Sequence, residues 1–434
     1  MVDLAEKIQL SGDFQPRLLL RAFGEYHHEC VATAEKKGLV VVNAVQNSSE
    51  NWVRVTAFKV LARMPKLFIF KFVRAVIEMR SIQTHTINLI EKYSFSLILM
   101  PEDSPDYGAP LVMQVARQKK IPVIIFNGLG ISPPEELARI YMYSEALTAG
   151  RFISDLIRRH WPKWVFSFSS RSILRIPAEK ILAYWLLKTS IPRPWLYYGS
   201  EPDTVICDNE ATAQFCRSKS IPTDHFKVLG SVEHDILYRY SEARIERRFE
   251  IEKDLGFSNL APLVLISLVQ EHFVYGAPDS DFKNHMDMIE FIGRTLGNAK
   301  KLNVVVSLHP SMMPDDFRFL EQWGLKISTR PVIELIPLCD IYIASGSSTI
   351  PWAIACGKPV LNYDVYRYGS IAYNEAAGII TFADKEIFLN QIQKLEQEPE
   401  YLELMTQKQA ACAKKWGKID GKASERIIQA LKAL

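Results

Sequence analysis

The residues best suited to chemistry form the run Ser345-Gly346-Ser347-Ser348-Thr349, which directly follows the apolar segment DIYIA. The segment after it, PWAIACGKPV, is typical of a short helix, a glycine stop and a further strand. A turn that opens a helix presents free backbone N–H groups, and hydroxyls add more donors. The run therefore predicts a phosphate or pyrophosphate site, and the alternative is a simple helix cap at Ser347 or Ser348.

A histidine and a proline, His309 and Pro310, end the apolar segment NVVVSL. Proline stops a strand and aims the preceding residue into the space beyond it. A histidine there is able to donate a hydrogen bond to a phosphate or to a sugar-ring oxygen, although histidines at strand ends are often structural. One helical connection, Val332–Leu338, separates this strand from DIYIA, so we expect His309 and the hydroxyl run to converge on one ligand.

A glycine turn near the middle of the chain adds a third, weaker signal. Gly230 and Ser231 follow the strand segment KVL, and Glu271 lies in the loop VQEHF after the strand segment LVLISL. We expect these two loops to lie beside each other and to contribute to the donor site. The alternative is that either is no more than a turn.

Short apolar runs alternate with helical patterns along the chain, which indicates parallel sheets covered by helices on both faces. In the C-terminal half the pattern predicts a doubly wound domain from about residue 203 onward. In the N-terminal half it predicts a second α/β domain, with a βαβ unit over Ser96–Phe126. The predicted strands are Leu39–Asn43, Ser96–Met100, Pro122–Phe126, Thr204–Cys207, Lys227–Gly230, Leu263–Leu268, Asn303–Leu308, Asp340–Ala344, Pro359–Asn362 and Gly378–Thr381.

The length of 434 residues suits two domains of ordinary size. The stretch Ser190–Asp203, rich in proline and aromatic residues, is interpreted as their linker. The predicted organisation is an N-terminal Rossmann-like domain over 1–202 with amphipathic insertions and a C-terminal Rossmann-like domain over 203–420. A last helix over 421–434 is expected to pack back on the N-terminal domain.

Composition argues against several classes of protein. The net charge of +3 is too small to indicate a nucleic-acid-binding surface. The six cysteines are scattered without a CxxC pair, so neither a zinc site nor a redox motif is expected, and no cofactor is expected either. The N-terminal segment MVDLAEKIQL carries acids and does not resemble a signal peptide, and no apolar run is long enough to span a bilayer. We therefore expect a cytoplasmic protein, soluble or peripheral.

The order of these motifs resembles a known family. The chain has GS-x-x-x-D at Gly230, a strand with a polar loop, a strand that ends in His-Pro, and then strand, S-x-S-S, helix and GKPV. Over residues 203–365 this looks like the donor domain of GT-B glycosyltransferases. It is similar to bacterial capsule, sialic-acid and Kdo transferases, CDP-glycerol glycerophosphotransferases and UDP-GlcNAc 2-epimerases. The resemblance implies an α/β GT-B fold, with two Rossmann-like domains, parallel sheets and a deep interdomain cleft.

The His-Pro and serine-pair motifs most resemble bacterial sialyltransferase-like enzymes that use CMP-sugars. By that resemblance, His309 and the pair Ser347 and Ser348 contact the nucleotide phosphate of the donor. The chain departs from the epimerases, since their turn is D-S-G-G where this chain has S-G-S-S, and their G-T-R-P-E segment is absent. No metal is expected, because His309 and the helix N-terminus are able to neutralise the leaving phosphate.

A sugar transfer that inverts the anomeric centre needs a carboxylate or a histidine to take the proton of the acceptor hydroxyl. The loop PEDSPDYG follows the strand segment SLILM. It resembles the acidic motif of the sialyltransferases and offers Asp103 or Glu102 as that base. The alternative is a solvated acidic loop in which Asp103 caps the next helix. Glu25, His27 and His28 form a second candidate group on the acceptor side.

The expected function is transfer of a sugar from a nucleotide-sugar donor to a glycan or lipid-linked acceptor in the synthesis of a surface polysaccharide such as capsule or lipopolysaccharide. A CMP-sugar donor is favoured over a UDP-sugar. Alternatives of the same fold are a nucleotide-sugar 2-epimerase and a CDP-polyol phosphotransferase. The alternative of another class is a non-catalytic module that binds sugar or lipid.

Two stretches, Arg54–Arg80 and Arg158–Lys188, mix basic residues with large apolar ones. Basic residues are drawn to anionic headgroups, and aromatic side chains such as Trp161, Trp164 and Trp185 enter the membrane interface. The pattern predicts a peripheral protein on the inner face of a membrane. The alternative is that both stretches are ordinary core.

Overall fold

The chain folds as an α/β protein with two larger parallel sheets, one of four strands and one of six. The computed structural model describes residues 1–20, 26–43, 68–126, 133–142, 144, 147, 151–168, 171–273, 279–369 and 373–434. The strands of these residues are β1 (Arg17–Leu20), β2 (Val40–Asn43), β3 (Ile98–Met100), β4 (Val123–Phe126), β5 (Val165–Phe168), β6 (Arg171–Leu174), β7 (Thr204–Cys207), β8 (Phe226–Val228), β9 (Leu263–Ser267), β10 (Asn303–Ser307), β11 (Lys326–Ser328), β12 (Ile341–Ala344), β13 (Val360–Tyr363) and β14 (Ile379–Phe382).

Every strand predicted from the sequence is present, with ends shifted by no more than two residues. Four elements were not predicted. These are β1, which pairs with β2 in a parallel two-stranded sheet, the antiparallel hairpin β5–β6, and the short edge strand β11. Short or polar strands such as β6 and β11 carry little apolar periodicity, so the sequence gives them a weak signal.

The C-terminal sheet is parallel, with the strand order β11-β10-β9-β12-β13-β14. Its two faces are both buried, because alternate residues of β9 belong to different cores. Val264 and Ile266 lie in one core, and Leu263 and Leu265 lie in the other. A strand that is apolar on both sides explains the continuous apolar runs of this half.

The sheet pairing moves the boundary between the two halves away from residue 203. β7 and β8 were assigned to the C-terminal domain, but they complete the N-terminal sheet, whose order is β3-β4-β7-β8. The predicted linker Ser190–Asp203 therefore leads into a strand of the sheet that precedes it. An apolar run marks a strand, whereas the choice of its neighbour depends on packing between distant segments, which the run does not encode.

The helices fill the connections between the strands and cover the sheets. They are α1 (Val2–Leu10), α2 (Tyr26–Lys36), α3 (Phe68–Tyr93), α4 (Ala109–Gln118), α5 (Pro134–Tyr141), α6 (Arg151–His160), α7 (Ala178–Leu186), α8 (Glu210–Ser218), α9 (Val232–Glu242), α10 (Arg244–Asp254), α11 (His285–Asn298), α12 (Pro314–Phe317), α13 (Val332–Leu335), α14 (Ile350–Ala355), α15 (Lys385–Gln397), α16 (Pro399–Trp416) and α17 (Ala423–Lys432). Short 3₁₀ helices lie at Pro105–Tyr107, Pro162–Trp164 and Arg318–Trp323. The chain crosses to the second sheet through α9 and α10.

The last helix, α17, returns to the N-terminal sheet. Ile427 and Leu431 share a buried core with Leu4 of α1 and with Ile124 and Ile206 of β4 and β7. The N-terminal sheet is thus covered on one face by the first and the last helix of the chain. No helix among the described residues combines the length and the apolar character needed to cross a bilayer.

Candidate functional site

The carboxyl ends of three neighbouring strands meet at one point of the C-terminal sheet. β9 lies between β10 and β12, and the strand order reverses there, because β10 and β11 extend to one side and β12, β13 and β14 to the other. Open α/β sheets bind ligands at such a switch point. Since Ser307 pairs with Ser267 and Ile343 pairs with Ile266, the loops after these strands begin side by side.

The hydroxyl turn Ser345–Thr349 is held in place by two buried side chains. Asn362 of β13 accepts a hydrogen bond from the backbone N–H of Gly346 at 2.9 Å, and the φ of Gly346 is +54°, a value that favours glycine. The hydroxyl of Tyr342 lies 2.5 Å from Thr349 Oγ1, which in turn lies 2.8 Å from Ser347 Oγ. The turn is therefore fixed before any ligand arrives.

Ser348 lies at the exposed tip of the same turn. Within the described part of the chain, the backbone N–H groups of Ser347 and Ser348 donate to no acceptor. These two groups and the Ser348 hydroxyl are the donors that the turn offers to an anion. The predicted role of the serine pair is chemically consistent with this arrangement.

His309 lies two residues beyond the end of β10 and is half-buried, whereas Pro310 is exposed. Ser311 donates its backbone N–H to His309 Nδ1 at 3.1 Å. Because Nδ1 accepts a hydrogen bond, the neutral imidazole carries its proton on Nε2. Burial lowers the pKa of His309, so the neutral form prevails at pH 7. His309 therefore presents an Nε2–H donor rather than a positive charge.

The loop after β9 brings in a second histidine, which the sequence analysis missed. His272 is half-buried and stacks on Tyr366 with ring centroids 5.2 Å apart, while the predicted residue Glu271 is exposed. Burial lowers the pKa of His272, and the nearby His309 and His285 lower it further. Both residues were visible in the segment VQEHF, but sequence alone does not tell which side chain of a loop turns inward.

Asp103, in the acidic loop of the N-terminal domain, is only 3% exposed. Its Oδ1 accepts the backbone N–H of Tyr198 at 2.9 Å, and its Oδ2 accepts that of Ser200 at 2.8 Å. Burial raises the pKa of Asp103, against the effect of these bonds. The carboxylate thus fastens the acidic loop to the segment before β7. The helix-capping alternative is wrong for Asp103, because Ser104 caps the 3₁₀ helix that follows.

Glu102 is half-buried beside this anchored residue. Burial raises the pKa of Glu102, the carboxylates of Asp106 and Asp103 raise it further, and Arg175 lowers it. Arg175 is itself buried and contacts Asp106 Oδ2 at 2.7 Å and Ser104 Oγ at 3.3 Å. A carboxylate with a raised pKa is a stronger proton acceptor than an ordinary glutamate, which suits general-base chemistry.

Tyr373 connects the acidic side of the site with the hydroxyl turn. Its hydroxyl donates to the backbone carbonyl of Ser347 at 3.2 Å. Burial raises the pKa of Tyr373, and Glu136 and Tyr197 of the N-terminal domain raise it further. Burial also raises the pKa of Tyr197 to about 12, and Glu102 adds to that rise. Tyr373, which is hydrogen-bonded to the hydroxyl turn, and the residues Glu136 and Tyr197 are therefore close enough to interact electrostatically.

A further carboxylate, Asp208, follows β7 and was not predicted. Burial raises its pKa to about 7, and Glu233 of α9 contributes to the rise. Asp208 is also among the charges that raise the pKa of Tyr373. It was missed because it precedes Asn209, which accepts the backbone N–H of Thr212 at 2.8 Å and gives the segment the pattern of an ordinary helix cap.

The predicted donor residues Gly230 and Ser231 lie against the C-terminal helix. The φ of Gly230 is +90°, and a Cβ atom there would lie 3.0 Å from the Cβ of Ala423 in α17. Ser231 is buried at the start of α9. The turn follows β8 of the N-terminal sheet, whereas the loop that holds Glu271 follows β9 of the other sheet. The close packing against α17 thus explains why position 230 is a glycine.

The second candidate group on the acceptor side, Glu25, His27 and His28, is not described. Glu25 lies outside the described residues, and so do the side chains of His27 and His28, whose backbone begins α2. Among the residues that the structure does describe, no three histidine, cysteine or acidic side chains are grouped as metal ligands.

Solved structures with low sequence identity resemble the chain over its whole length. A UDP-GlcNAc 2-epimerase from Neisseria meningitidis bound to UDP-GlcNAc superposes with a TM-score of 0.54 at 15% identity, covering 100% of this chain and 96% of that chain. The glycotransferase of kitacinnamycin gives 0.53 at 10% identity, covering 100% and 94%. The calicheamicin glycosyltransferase CalG4 gives 0.53 at 12% identity, covering 100% and 93%.

No protein-family model matches the sequence, and no curated protein matches it. At such low identity a structural likeness establishes the fold and leaves the activity open. The parallel sheets and the likeness over the full length together show that the chain has the GT-B fold.

Proposed function

We propose that the protein is a glycosyltransferase that moves a sugar from a nucleotide-sugar donor to a glycan or lipid-linked acceptor in surface polysaccharide synthesis. The observation that carries this proposal is the presence of two kinds of groups, one on each half of a GT-B fold. Neutral hydrogen-bond donors from His309 and the hydroxyl turn lie on the C-terminal side. A carboxylate with a raised pKa, Glu102, lies on the N-terminal side.

The donor phosphate is bound at the switch point of the C-terminal sheet. The Nε2–H of His309, the backbone N–H groups of Ser347 and Ser348 and the Ser348 hydroxyl donate to its oxygens. When the bond between the anomeric carbon and the phosphate oxygen breaks, the electron pair stays on that oxygen. Preorganised donors aimed at this developing charge lower the barrier, and they do so without a positive residue or a metal.

Glu102 is the base in this proposal, and Asp103 positions it. The acceptor oxygen forms its bond to the anomeric carbon while its proton passes to the Glu102 carboxylate. Asp103 already accepts two backbone hydrogen bonds, so its oxygens are engaged in holding the loop. The donor is proposed to be a CMP-sugar, with a UDP-sugar as the next candidate, on the sequence resemblance of the His-Pro and serine-pair motifs.

A panel of donors incubated with the purified full chain tests this proposal. We expect thermal stabilisation by CMP or UDP, and donor hydrolysis or transfer detected by chromatography and NMR. Epimerisation at C2 of UDP-GlcNAc would instead assign the fold to an epimerase, and transfer of glycerol phosphate from CDP-glycerol would assign it to a phosphotransferase. Absence of nucleotide binding would leave a non-catalytic module.

The proposed location is the cytoplasmic face of a membrane, where a lipid-linked acceptor is presented. The basic and aromatic stretch Arg158–Lys188 supports this location. The other stretch is Arg54–Arg80. Its residues 54–67 lie outside the described residues, and its residues 68–80 form the first part of α3.

A further inference from the structure

An exposed tryptophan marks the outer surface of the N-terminal domain. Trp185, near the end of α7, is 59% exposed, and its neighbour Leu186 is 46% exposed. Among the tryptophans in the described part of the chain, Trp185 alone is exposed. Its indole contacts the half-buried Trp161 edge to face, with ring centroids 5.6 Å apart. Two adjacent indoles and a leucine form a compact apolar patch that no part of the described chain covers.

The structure divides the aromatic residues that the sequence grouped together. Trp164 is buried and stacks on Tyr184, with ring centroids 6.0 Å apart, so it belongs to the core. Trp185 instead points away from the core that surrounds Ile181 of the same helix. A tryptophan costs free energy when it is left in water, so its exposure at the end of a helix calls for a partner surface.

Positive charges border this patch. Arg158, Arg159, Lys163 and Lys188 are all exposed, and they flank Trp161 and Leu186 in the chain. Asp155 pairs with Arg158. Within the described residues, no acidic side chain forms an ion pair with the other three cations. The patch and its border, residues 158–163 and 185–188, are called the indole surface below.

We propose that the indole surface docks on a bilayer that contains anionic lipids, with Trp185 and Leu186 in the headgroup region and the basic residues on the lipid phosphates. Charge complementarity favours an anionic bilayer as the partner. A surface with an apolar centre and an excess of cations fits an anionic membrane interface. This inference rests on the proposed function, because it says how a lipid-linked acceptor reaches the site.

The indole surface and the acidic loop are linked through consecutive residues of α7, whose side chains point about 100° apart around the helix. Tyr184, one residue before Trp185, donates its hydroxyl proton to the backbone carbonyl of Pro105 at 2.8 Å. Pro105 belongs to the acidic loop that carries Glu102. A helix with its side chains is about 10–12 Å across. In this proposal, a bilayer in contact with Trp185 brings a lipid-linked acceptor to the part of the molecule that carries the acidic loop.

Liposome co-sedimentation of the full chain tests the proposal. One arm uses vesicles of phosphatidylcholine alone, and the other adds phosphatidylglycerol as the anionic lipid, each at low and high salt. We expect binding to the anionic vesicles only, and weaker binding at high salt. Each basic residue near an anionic surface strengthens binding about fivefold. The double variant Arg159→Glu/Lys188→Glu should therefore bind at least about 25-fold more weakly.

A second pair of variants separates the apolar part from the charge. Trp185→Ser/Leu186→Ser should lower binding at least about tenfold at either salt concentration, because the lost contribution is burial of apolar area. Phe249→Ser is the matched control, since Phe249 is a large apolar side chain that is 68% exposed on α10 of the other half and follows Arg247 and Arg248 in the chain. Unchanged binding by both double variants, or equal loss in the control, would overturn the assignment.

Two further readouts keep this proposal apart from the proposed function. Nucleotide-induced thermal stabilisation is measured on the same preparations, and it should be the same in the wild type and in both double variants. Sedimentation velocity is measured without lipid. If Trp185→Ser/Leu186→Ser converts a dimer into a monomer, the indole surface is an interface between copies of the chain and the membrane proposal is wrong. Failure of vesicle binding with nucleotide binding intact overturns the membrane proposal alone.

Discussion

The acidic loop Pro101–Tyr107 and the hydroxyl turn Ser345–Thr349 both follow a parallel strand, yet they are built in different ways. The acidic loop is anchored by contacts between residues distant in sequence, since Asp103 accepts backbone hydrogen bonds from Tyr198 and Ser200. The hydroxyl turn is anchored mostly by its own hydroxyls and by Tyr342 and Asn362 directly beneath it.

This difference suits the two kinds of chemistry expected of them. A base needs a tuned pKa, and burial among several charges provides that for Glu102. A phosphate site needs fixed donors without a net charge that would hold the product too tightly, and the hydroxyl turn with neutral His309 provides those. Four predictions, taken from the largest expected effect to the smallest, test whether the two regions divide the work in this way.

Glu102→Gln should lower turnover by about 10²–10⁴-fold, the range typical for loss of a general base. Nucleotide affinity should stay within about twofold, because the proposal assigns donor binding to the other region. Steady-state kinetics and a nucleotide titration measure the two effects. Should the variant turn over normally, the base must be sought elsewhere, first at Glu25, His27 and His28.

His309→Ala should lower turnover by about 100-fold, because one preorganised donor to the leaving phosphate is lost. Ser348→Ala should act in the same direction with a smaller effect, since backbone N–H groups remain. His225→Ala is the matched control. His225 directly precedes β8, which forms the edge of the N-terminal sheet opposite β3. Burial lowers the pKa of His225, as it does for His309. Equal losses in the control and in His309→Ala would contradict the assignment.

Asp103→Asn should destabilise the fold by about 1–3 kcal/mol, since an amide is able to accept only one of the two backbone N–H groups that the carboxylate accepts. Chemical denaturation measures the free energy of unfolding. The folded fraction should keep most of its activity. A stable but inactive Asp103→Asn would reverse the roles of Asp103 and Glu102.

The smallest effect concerns the pH dependence of the rate. The pKa of Glu102 is raised, so its basic form is lost as the pH falls through a value above the ordinary 4.5, and the acid limb of kcat/KM should lie above that value. Asp106→Asn removes a charge that raises this pKa and should move the limb to lower pH. Arg175→Gln removes a charge that lowers it and should move the limb to higher pH. Shifts in the same direction would exclude Glu102 as the titrating group.

Most of the strands could be predicted from the sequence, because buried parallel strands are continuous apolar runs that are visible without any partner. The hydroxyl turn and His309 were found for the same reason, since residues that end such strands lie at one edge of the sheet. The GT-B fold was predicted from the order of the motifs, which resembles that of GT-B donor domains. The sequence could not assign β7 and β8 to the N-terminal sheet. It also could not separate Glu102 from Asp103, because the difference comes from Tyr198 and Ser200, almost a hundred residues away.

The core shared by the first and the last helix has a consequence for how the chain folds. Leu4 and Ile8 contact the same core as Ile427 and Leu431, so this contact spans more than 400 residues. During synthesis the strands β3, β4, β7 and β8 exist long before α17 does, and one apolar face of their sheet stays uncovered until the ribosome has made α17. The C-terminal half, whose contacts lie closer together in sequence, is free to fold first. The half made first is thus the half completed last, and its open face is where a chaperone would bind in the interval.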